Sequence, residues 1–251
     1  MNLANGRIRG EARLQSLRFS LYCLIRDQRH TLHWSSISKT GEGHLSSKQI
    51  SAIIVLALGG AYVLWGGKSD HQWDVKNAQQ PVTKIIALGD SLTSGHGVPQ
   101  DQNFVSLVGQ QTGIPITNKG QSGDTTGRAL SRLKMMALPQ AELAIVTLGG
   151  NDLLKRSGLD ETIKNLGEIF DVFHAKGMMV AYTAIDPPVI GDNWAMAIQQ
   201  LCKQKGVLYI PAFMKGLWGN SDLMLDKIHP NAKGHAIMAK RVQERIATYL
   251  H

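Results

Sequence analysis

Two short segments of the chain carry the residue types that nucleophilic serine chemistry requires. Ser91 stands in the tetrapeptide Gly-Asp-Ser-Leu at 89–92, directly after the apolar run 85–88. A serine at the carboxyl end of a buried strand has its backbone held by the sheet while its hydroxyl faces solvent. Far downstream, Asp226 precedes His229 by three residues. A base and the group that orients it then share one segment, which is what a weak hydroxyl nucleophile needs.

Each of these three residues also has a simpler interpretation. Ser91 can be the N-cap of a helix, with its hydroxyl accepting a backbone N–H. A lone histidine before proline is usually a loop residue, and Asp226 can close an Asx turn. The pair favours catalysis, because an imidazole titrates near neutral pH and a carboxylate can hold its tautomer and stabilise the imidazolium.

Four segments in chain order carry a more specific pattern. They are Gly-Asp-Ser-Leu at 89–92, Gln-Ser-Gly-Asp-Thr at 121–125, Leu-Gly-Gly-Asn-Asp at 148–152 and Asp-Lys-Ile-His-Pro at 226–230. Together they resemble the four sequence blocks of the SGNH, or GDSL-type, hydrolase family. Within it the chain looks most like the branch of bacterial lysophospholipase, acyl-CoA thioesterase I and arylesterase. The resemblance extends over residues 83–250 and leaves residues 1–80 outside it.

The resemblance implies a role for each site residue. Ser91 is the expected nucleophile, His229 the general base and Asp226 its orienting partner. The expected oxyanion donors are the backbone N–H groups of Ser91 and Gly123 and the side-chain amide of Asn151. Gly123 has no side chain to keep substrate from its N–H, and the Asn151 amide carries two donors. Taken alone, Gly123 and Asn151 would be ordinary turn formers.

Neighbouring polar residues receive lesser roles. Asp90 and Asp152 are expected to bind nearby backbone, and His96 to line the pocket without acting as a second base. His235 is expected on a helix face, and Asp186 at the pocket rim. Five large apolar residues lie where acyl-pocket loops are expected and receive no role: Trp194, Met196, Trp218, Leu223 and Met224.

Apolar runs and helical spacing alternate beyond residue 82. The predicted strands are 83–88, 116–118, 143–148, 178–184 and 207–210, and the predicted helices are 104–111, 125–136, 161–176, 193–205 and 231–249. The alternation predicts a parallel sheet with helices on both faces. With the resemblance, the expected fold class is α/β: a flavodoxin-like three-layer α/β/α sandwich with a parallel five-stranded sheet, the SGNH hydrolase fold. Asp160 is the predicted N-cap of the third helix, with Gly177 just past its end.

The segment 50–67 has 18 residues without a charge, which reaches the short limit for a membrane span. A buried core helix is the alternative, but two Gly-Gly pairs would weaken a soluble helix. Residues 1–48 hold eight Lys or Arg against three acidic residues, which favours a cytoplasmic N-terminus. No A-x-A-like cleavage site follows the apolar segment, so an uncleaved signal anchor is favoured.

Four regions are therefore expected. Residues 1–48 form a basic segment, 49–68 a single transmembrane anchor, 69–82 a linker and 83–251 the hydrolase domain. The domain is expected outside the cytoplasm, on the periplasmic or outer side of the inner cell membrane.

Composition and charge argue against a nucleic-acid partner, a disulfide and a metal site. The net charge is +8, but the basic excess is concentrated before the apolar segment, where it sets topology, and no nucleic-acid module is present. Cys23 and Cys202 would lie on opposite sides of the membrane, so no disulfide between them is expected. Their spacing does not match that of zinc ligands, so no zinc site is expected either. No metal or organic cofactor is implied.

The expected protein is a membrane-anchored serine esterase whose partner is a small-molecule or lipid ester. Lysophospholipids, aryl esters and acyl thioesters are the favoured substrates. One alternative is O-deacetylation of envelope polysaccharide, and another is a non-catalytic binding module with the same fold. The complete set of serine, histidine, aspartate, glycine and asparagine argues against the binding module.

Overall fold

The computed structural model describes residues 73–187 and 192–250, which lie within one compact unit, Lys68–His251. The segments 1–48 and 49–68, including the predicted anchor, lie outside the described residues. Within the part of the chain that is described, no helix combines the length and apolarity needed to cross a bilayer.

The end of the predicted linker packs against the domain. The Trp73 indole N–H donates to the Val207 carbonyl oxygen at 2.9 Å. The Asn77 side-chain amide donates to the carbonyl oxygens of His174 and Met178. Val75 is buried in the core. Residues 73–77 of the segment predicted as a linker therefore contact the domain through apolar and amide side chains.

The sheet has five parallel strands, as predicted. They are β1 (Ile85–Gly89), β2 (Ile116–Gly120), β3 (Leu143–Thr147), β4 (Met179–Thr183) and β5 (Leu208–Ile210). Their order is β2-β1-β3-β4-β5, and every neighbouring pair is parallel. This is the flavodoxin-like order, in which the chain changes direction across the sheet between β1 and β3. Ligands bind at the carboxyl edge of such a switch point, so the crevice is expected beyond Gly89 and Thr147.

Seven α-helices are described. They are α1 (Ser91–Ser94), α2 (Phe104–Thr112), α3 (Thr126–Met135), α4 (Gly150–Leu154), α5 (Leu159–Ala175), α6 (Asp192–Lys205) and α7 (Ala232–Ile246), with 3-10 turns at Gln100–Gln102 and Ala247–Tyr249. The five long helices match the predicted ones. The sequence did not predict α1 and α4, because helices of four or five residues are too short to show a hydrophobic period.

The predicted start of α5 is wrong by two residues. Its N-cap is Gly158 rather than Asp160, which lies within the first turn. There the carboxylate still favours the helix, because it sits beside the positive end of the helix dipole. At the other end, Gly177 adopts φ +79° and its N–H donates to the His174 carbonyl, as expected of a residue past the helix end.

Successive residues of each strand point to opposite faces and build two separate cores. Ile85 and Ala87 of β1 pack in one core with side chains of α2 and α7. Ile86 and Leu88 pack in the other core with side chains of α3, α5 and α6. β1, β3, β4 and β5 are therefore buried along their whole length, which explains why they are mostly apolar rather than alternating. The edge strand β2 is only partly buried and carries polar residues.

Two helices on one face are joined by a buried histidine. His235 of α7 accepts the Phe104 backbone N–H at its Nδ1, at 3.1 Å, and is 1% exposed. Burial lowers the pKa of His235 to about 4, so the ring is neutral in the folded protein. His235 therefore acts as an interhelical acceptor, not as a second base.

This histidine makes stability depend on pH. Its pKa in the unfolded chain is about 6.5, so between there and about 4 the unfolded state binds more protons and stability falls as pH falls. The variant His235→Asn keeps an acceptor oxygen but does not titrate. We expect its free energy of unfolding in urea to decline less between pH 7 and pH 4.5 than that of the wild type.

The comparison isolates His235 from other titrating groups. His174 acts in the same direction and Asp90, whose pKa is raised, in the opposite one, but both are present in each protein. Parallel pH profiles of the two proteins would contradict the assignment.

Candidate active site

Ser91 opens α1 directly after β1, and its neighbour supplies the helix cap. The Asp90 carboxylate accepts the Leu92 N–H at 3.0 Å, which makes Asp90 the N-cap. The Ser91 hydroxyl is therefore not used for capping, and it lies 3.1 Å from His229 Nε2. The capping interpretation of Ser91 is thus wrong, because the residue before it fills that position.

Close packing holds α1 over the strand ends. A Cβ on Gly120, the last residue of β2, would lie 2.6 Å from the carbonyl carbon of Thr93. Only glycine leaves room for the helix backbone there. The Asn118 side-chain amide donates to the Thr93 carbonyl oxygen at 2.7 Å. The strand beside β1 therefore helps to fix the position of Ser91.

Asp226 binds its own loop and the imidazole together. Its Oδ1 accepts the backbone N–H groups of Ile228 and His229, both at 2.8 Å, and its Oδ2 lies 2.8 Å from His229 Nδ1. The hydrogen bond to His229, with the backbone N–H groups, lowers the pKa of Asp226 to about 2. An ionised carboxylate only accepts, so the ring proton is on Nδ1 and Nε2 faces the Ser91 hydroxyl as an acceptor.

The loop that carries this pair is closed on itself and attached to α7. The Leu225 N–H donates to the His229 carbonyl at 2.8 Å, and the Asn231 N–H donates to the Leu223 carbonyl at 2.9 Å. The Asn231 side chain then caps α7 by accepting the N–H groups of Lys233 and Gly234. The packing of α7 on the sheet therefore sets where His229 meets Ser91.

A second imidazole contacts the first. The rings of His96 and His229 are 4.5 Å apart between centroids and tilted by 45°. The His96 backbone N–H donates to the Ser91 backbone carbonyl at 3.0 Å. His96 was expected to line the pocket, but it lies against His229 instead and is not among the cavity-lining residues.

Asn151 is the second residue of α4, beyond the carboxyl end of β3. Its side-chain amide donates to the Asp124 carbonyl at 2.9 Å and to the Asp90 carboxylate at 3.3 Å. The shorter bond fixes the amide, and the longer, weaker one leaves a hydrogen that a substrate oxygen can take. Burial raises the pKa of Asp90 to about 7, although the Leu92 N–H partly offsets this.

Gly123 lies in the turn after β2. It adopts φ +81°, a left-handed conformation that favours glycine, and open space surrounds the position of a Cβ. The preceding residue, Ser122, is hydrogen-bonded to α1, because its hydroxyl lies 3.1 Å from that of Ser94. Gly123 does not line the cavity described below, although its turn lies beside α1.

Asp124 and Asp152 hold the elements that carry Gly123 and Asn151. The buried Asp124 pairs with Arg132 of α3 at 2.8 Å. Asp152 accepts both the backbone N–H and the hydroxyl of Thr126, at 2.9 and 2.6 Å. As expected for Asp152, it is a partner of nearby backbone.

A cavity of about 710 Å³ opens beside Ser91, Asn151 and His229. Most of its other lining residues are apolar, and two are basic: Leu92, Leu153, Leu154, Ile185, Pro187, Trp218, Ile228, Arg156 and Lys227. Such a space accommodates a small ligand with an apolar part. None of these residues was assigned a site role from the sequence. Their one signal is position, since most lie within a few residues of the four segments.

The apolar residues that were expected near acyl-pocket loops do not share one place. Trp218 lines the cavity. Trp194 packs against the core beneath α6, and Leu223 against the opposite core. Met224 is buried, whereas Met196 is exposed.

The profile of the GDSL-like lipase/acylhydrolase family matches residues 87–237, which is more than half of the chain and includes all four segments. The chain belongs to this family. The protein is therefore a carboxylic ester hydrolase, as the four segments predicted.

Named relatives of this ester hydrolase are also esterases. An arylesterase of Vibrio mimicus is 26% identical over 187 residues, covering 69% of this chain and 92% of the relative. Esterase TesA of Pseudomonas aeruginosa is 27% identical over 164 residues, covering 61% and 82%. The crystal structure of the psychrotrophic esterase EstA from Pseudoalteromonas, inhibited by monoethylphosphonate, superposes with a TM-score of 0.61 at 27% identity. It covers 67% of this chain and 98% of EstA.

Proposed function

We propose that Ser91 is the nucleophile of a carboxylic ester hydrolase that works through an acyl-enzyme intermediate. The observation that carries the proposal is the continuous hydrogen-bonded line from Ser91 Oγ to His229 Nε2 and from His229 Nδ1 to Asp226 Oδ2, at 3.1 and 2.8 Å. A hydroxyl nucleophile, a base and an orienting carboxylate in that order are the parts of a serine triad.

The proton movements follow from this geometry. The Ser91 hydroxyl proton passes to His229 Nε2 as Oγ bonds to the ester carbonyl carbon. Asp226 stabilises the resulting imidazolium through the Nδ1 proton. The imidazolium then protonates the leaving alcohol oxygen as the C–O bond breaks, which leaves the acyl group on Ser91. A water molecule repeats the sequence and releases the acid.

The carbonyl oxygen becomes negatively charged in the tetrahedral intermediate and needs donors. We assign the Ser91 and Gly123 backbone N–H groups and the Asn151 amide to it. Ser91 is the first residue of α1, where a backbone N–H has no partner within the helix. The Asn151 amide is held by Asp124 and can exchange its long bond with Asp90 for one to the oxyanion.

The Asn151→Ala variant should lower kcat by about 10² to 10³-fold with a small change in KM. The expected reason is that the lost donor acts on the charge that develops in the transition state. Steady-state kinetics on p-nitrophenyl butyrate measures both constants. The matched control is Asn165→Ala, since the Asn165 amide bonds to Thr126 Oγ1 and lies outside the cavity. A rise in KM with unchanged kcat would contradict the oxyanion role.

The cavity supports substrates with an apolar acyl or aryl part, such as aryl esters, lysophospholipids or acyl thioesters. Its apolar lining includes Leu92, Ile185 and Trp218. Burial of each added methylene contributes about 0.8 kcal/mol, so kcat/KM should rise up to about fourfold per CH₂ until the cavity is filled. The relatives named as an arylesterase and an esterase accord with this range of esters.

A substrate panel on the full-length protein tests the proposal. It compares p-nitrophenyl esters of increasing acyl length, phenyl acetate, lysophosphatidylcholine and acetylated sugars. A preference for the longer or aryl esters supports the assignment. Faster turnover of acetylated sugars would instead support O-deacetylation of envelope polysaccharide, and no turnover of any ester would leave the binding-module alternative.

We further propose that residues 49–68 anchor the domain outside the cytoplasm. The charge asymmetry around the uncharged segment 50–67 supports this orientation. An alkaline phosphatase fused after His251 should be active in cells, because this reporter works only outside the cytoplasm. A fusion active only with a cytoplasmic reporter would reject the orientation.

A further inference from the structure

Three large apolar side chains are exposed on segments that border the cavity. Leu154 is 61% exposed, Leu225 50% and Ile228 38%. Leu154 and Ile228 line the cavity. Leu225 lies in the same loop as Ile228 and covers Gly97, where an added Cβ would come within 2.6 Å of its Cδ1. Exposing large aliphatic side chains to water is unfavourable, so their grouping at one opening suggests that something covers them.

Two cations flank these side chains. Arg156 and Lys227 are exposed and line the cavity, and within the described residues neither is in an ion pair. The two acidic side chains at the site, Asp90 and Asp226, do not pair with these cations. Asp90 is 3% exposed, and the half-exposed Asp226 is bound to His229. Two cations without an ion pair to any described residue therefore line a mostly apolar cavity.

The backbone holds Arg156 in an unusual conformation. It has φ +57°, a left-handed value that costs a residue with a side chain about 1 kcal/mol or more. The turn after α4 fixes it, because the Arg156 N–H donates to the Leu153 carbonyl and the Ser157 N–H to the Asp152 carbonyl. Glycine would relieve that strain, so the position carries a cation where backbone geometry favours a residue without a side chain.

We propose that Leu154, Arg156, Leu225, Lys227 and Ile228 form a docking surface, the mouth rim, for a bilayer that contains anionic phospholipid. The aliphatic side chains enter the boundary between headgroups and acyl chains, and the two cations bind lipid phosphates. Charge complementarity selects this occupant, since an anionic membrane surface offers both an apolar layer and negative charge to a mixed rim. Bound in this way, the cavity opens toward lipid, which is a source of apolar esters.

The inference concerns binding and is independent of the proposed chemistry, so it is tested on the Ser91→Ala protein. Residues 69–251 serve for the assay, so that the predicted anchor at 49–68 does not itself bind the vesicles. This unit contains both described cores, and the EstA chain, 98% of which superposes on this chain, is a folded esterase of about this domain alone.

The first experiment is co-sedimentation with vesicles of phosphatidylcholine, with or without phosphatidylglycerol. The variant Leu154→Ser/Leu225→Ser/Ile228→Ser should lower the partition coefficient on anionic vesicles by roughly tenfold or more, because apolar area no longer enters the bilayer. The control is Met135→Ser/Met196→Ser, which removes side chains that are 82% and 56% exposed outside this cavity. It should bind like the parent protein.

The second experiment removes charge with Arg156→Gln/Lys227→Gln. Binding to phosphatidylglycerol vesicles should fall by roughly fivefold for each cation, and binding to phosphatidylcholine should not change. Added salt should weaken the binding of the parent protein to anionic vesicles and should have little effect on the binding of this variant.

Three results would overturn the proposal: no binding of the parent protein to anionic vesicles, equal losses in the rim and methionine variants, or a dimer in size-exclusion chromatography that the rim variant dissociates. If the triple variant does not fold by circular dichroism, Leu225→Ser alone decides. Leu225 does not line the cavity, and its loss should still lower binding.

Discussion

Ser91→Ala should lower kcat for p-nitrophenyl esters by at least about 10⁴-fold while leaving the fold intact. The alanine lacks the oxygen that lies 3.1 Å from His229 Nε2, so no covalent bond to the acyl group can form. Removing the nucleophile of a serine triad leaves only the residual catalysis of the oxyanion donors and of binding. Steady-state kinetics and a thermal melt of the two proteins provide the measurement.

The chain offers a matched control on the same helix. Ser94 closes α1, and its hydroxyl contacts the Ser122 hydroxyl at 3.1 Å and donates to the Ser91 backbone carbonyl at 3.2 Å, away from the imidazole. Ser94→Ala should therefore change kcat by no more than a few-fold. A p-nitrophenyl alkylphosphonate should add its phosphonyl group to the wild type and to Ser94→Ala, as seen by mass spectrometry, but not to Ser91→Ala. Turnover by Ser91→Ala at the wild-type rate would remove the nucleophile assignment.

Asp226→Asn should lower kcat by about 10⁴-fold through the histidine tautomer. The asparagine Oδ1 can still accept the N–H groups of Ile228 and His229, so the loop keeps its shape. Its amide nitrogen, however, faces His229 Nδ1 and donates to it. The ring proton then moves to Nε2, which can no longer accept the Ser91 proton.

Asp222→Asn in the same loop is the control. Its backbone N–H binds the Asn220 side chain and its carbonyl accepts from Asn231, so the substitution leaves both contacts in place. We expect wild-type kcat from it. The pKa of Asp226 is about 2, so this carboxylate stays ionised at ordinary assay pH and should not set the acid limb of the pH–rate profile. Equal kcat values for the two asparagine variants would refute the orienting role of Asp226.

Much of the fold could be predicted because its signals are local. Four of the five strands are mostly apolar runs, with β2 the exception, and the five long helices show a 3.6-residue period that remains visible when their ends are misplaced by a few residues. The prediction missed α1 and α4 and misplaced the cap of α5 at Asp160. Those features depend on one or two hydrogen bonds, such as that from the Leu92 N–H to Asp90, and neighbouring residues of similar type compete for each of them.

The site residues also divide into those that local spacing predicts and those that depend on distant packing. The spacing of Asp226 and His229 indicates a pair because three residues within a closed turn suffice to join them. His96 was misplaced because the sequence does not show that the end of α1 turns its ring toward His229 rather than the cavity. The cavity-lining Arg156 and Trp218 come from different loops, and nothing in their own segments shows which opening they share.

The sequence by itself determined the family, the order of the five strands and five long helices along the chain, and the residue types that serve ester hydrolysis, because short contiguous segments carry each of these signals. The tertiary structure decided that Ser91 meets His229 across 138 positions, that Asp124 and Asp90 hold the Asn151 amide, and that two cations border an apolar mouth. Those relations depend on how α7 and the turns after β1, β2 and β3 pack at one edge of the sheet. Packing of that kind sums many weak contacts between distant residues, and no single stretch of sequence contains it.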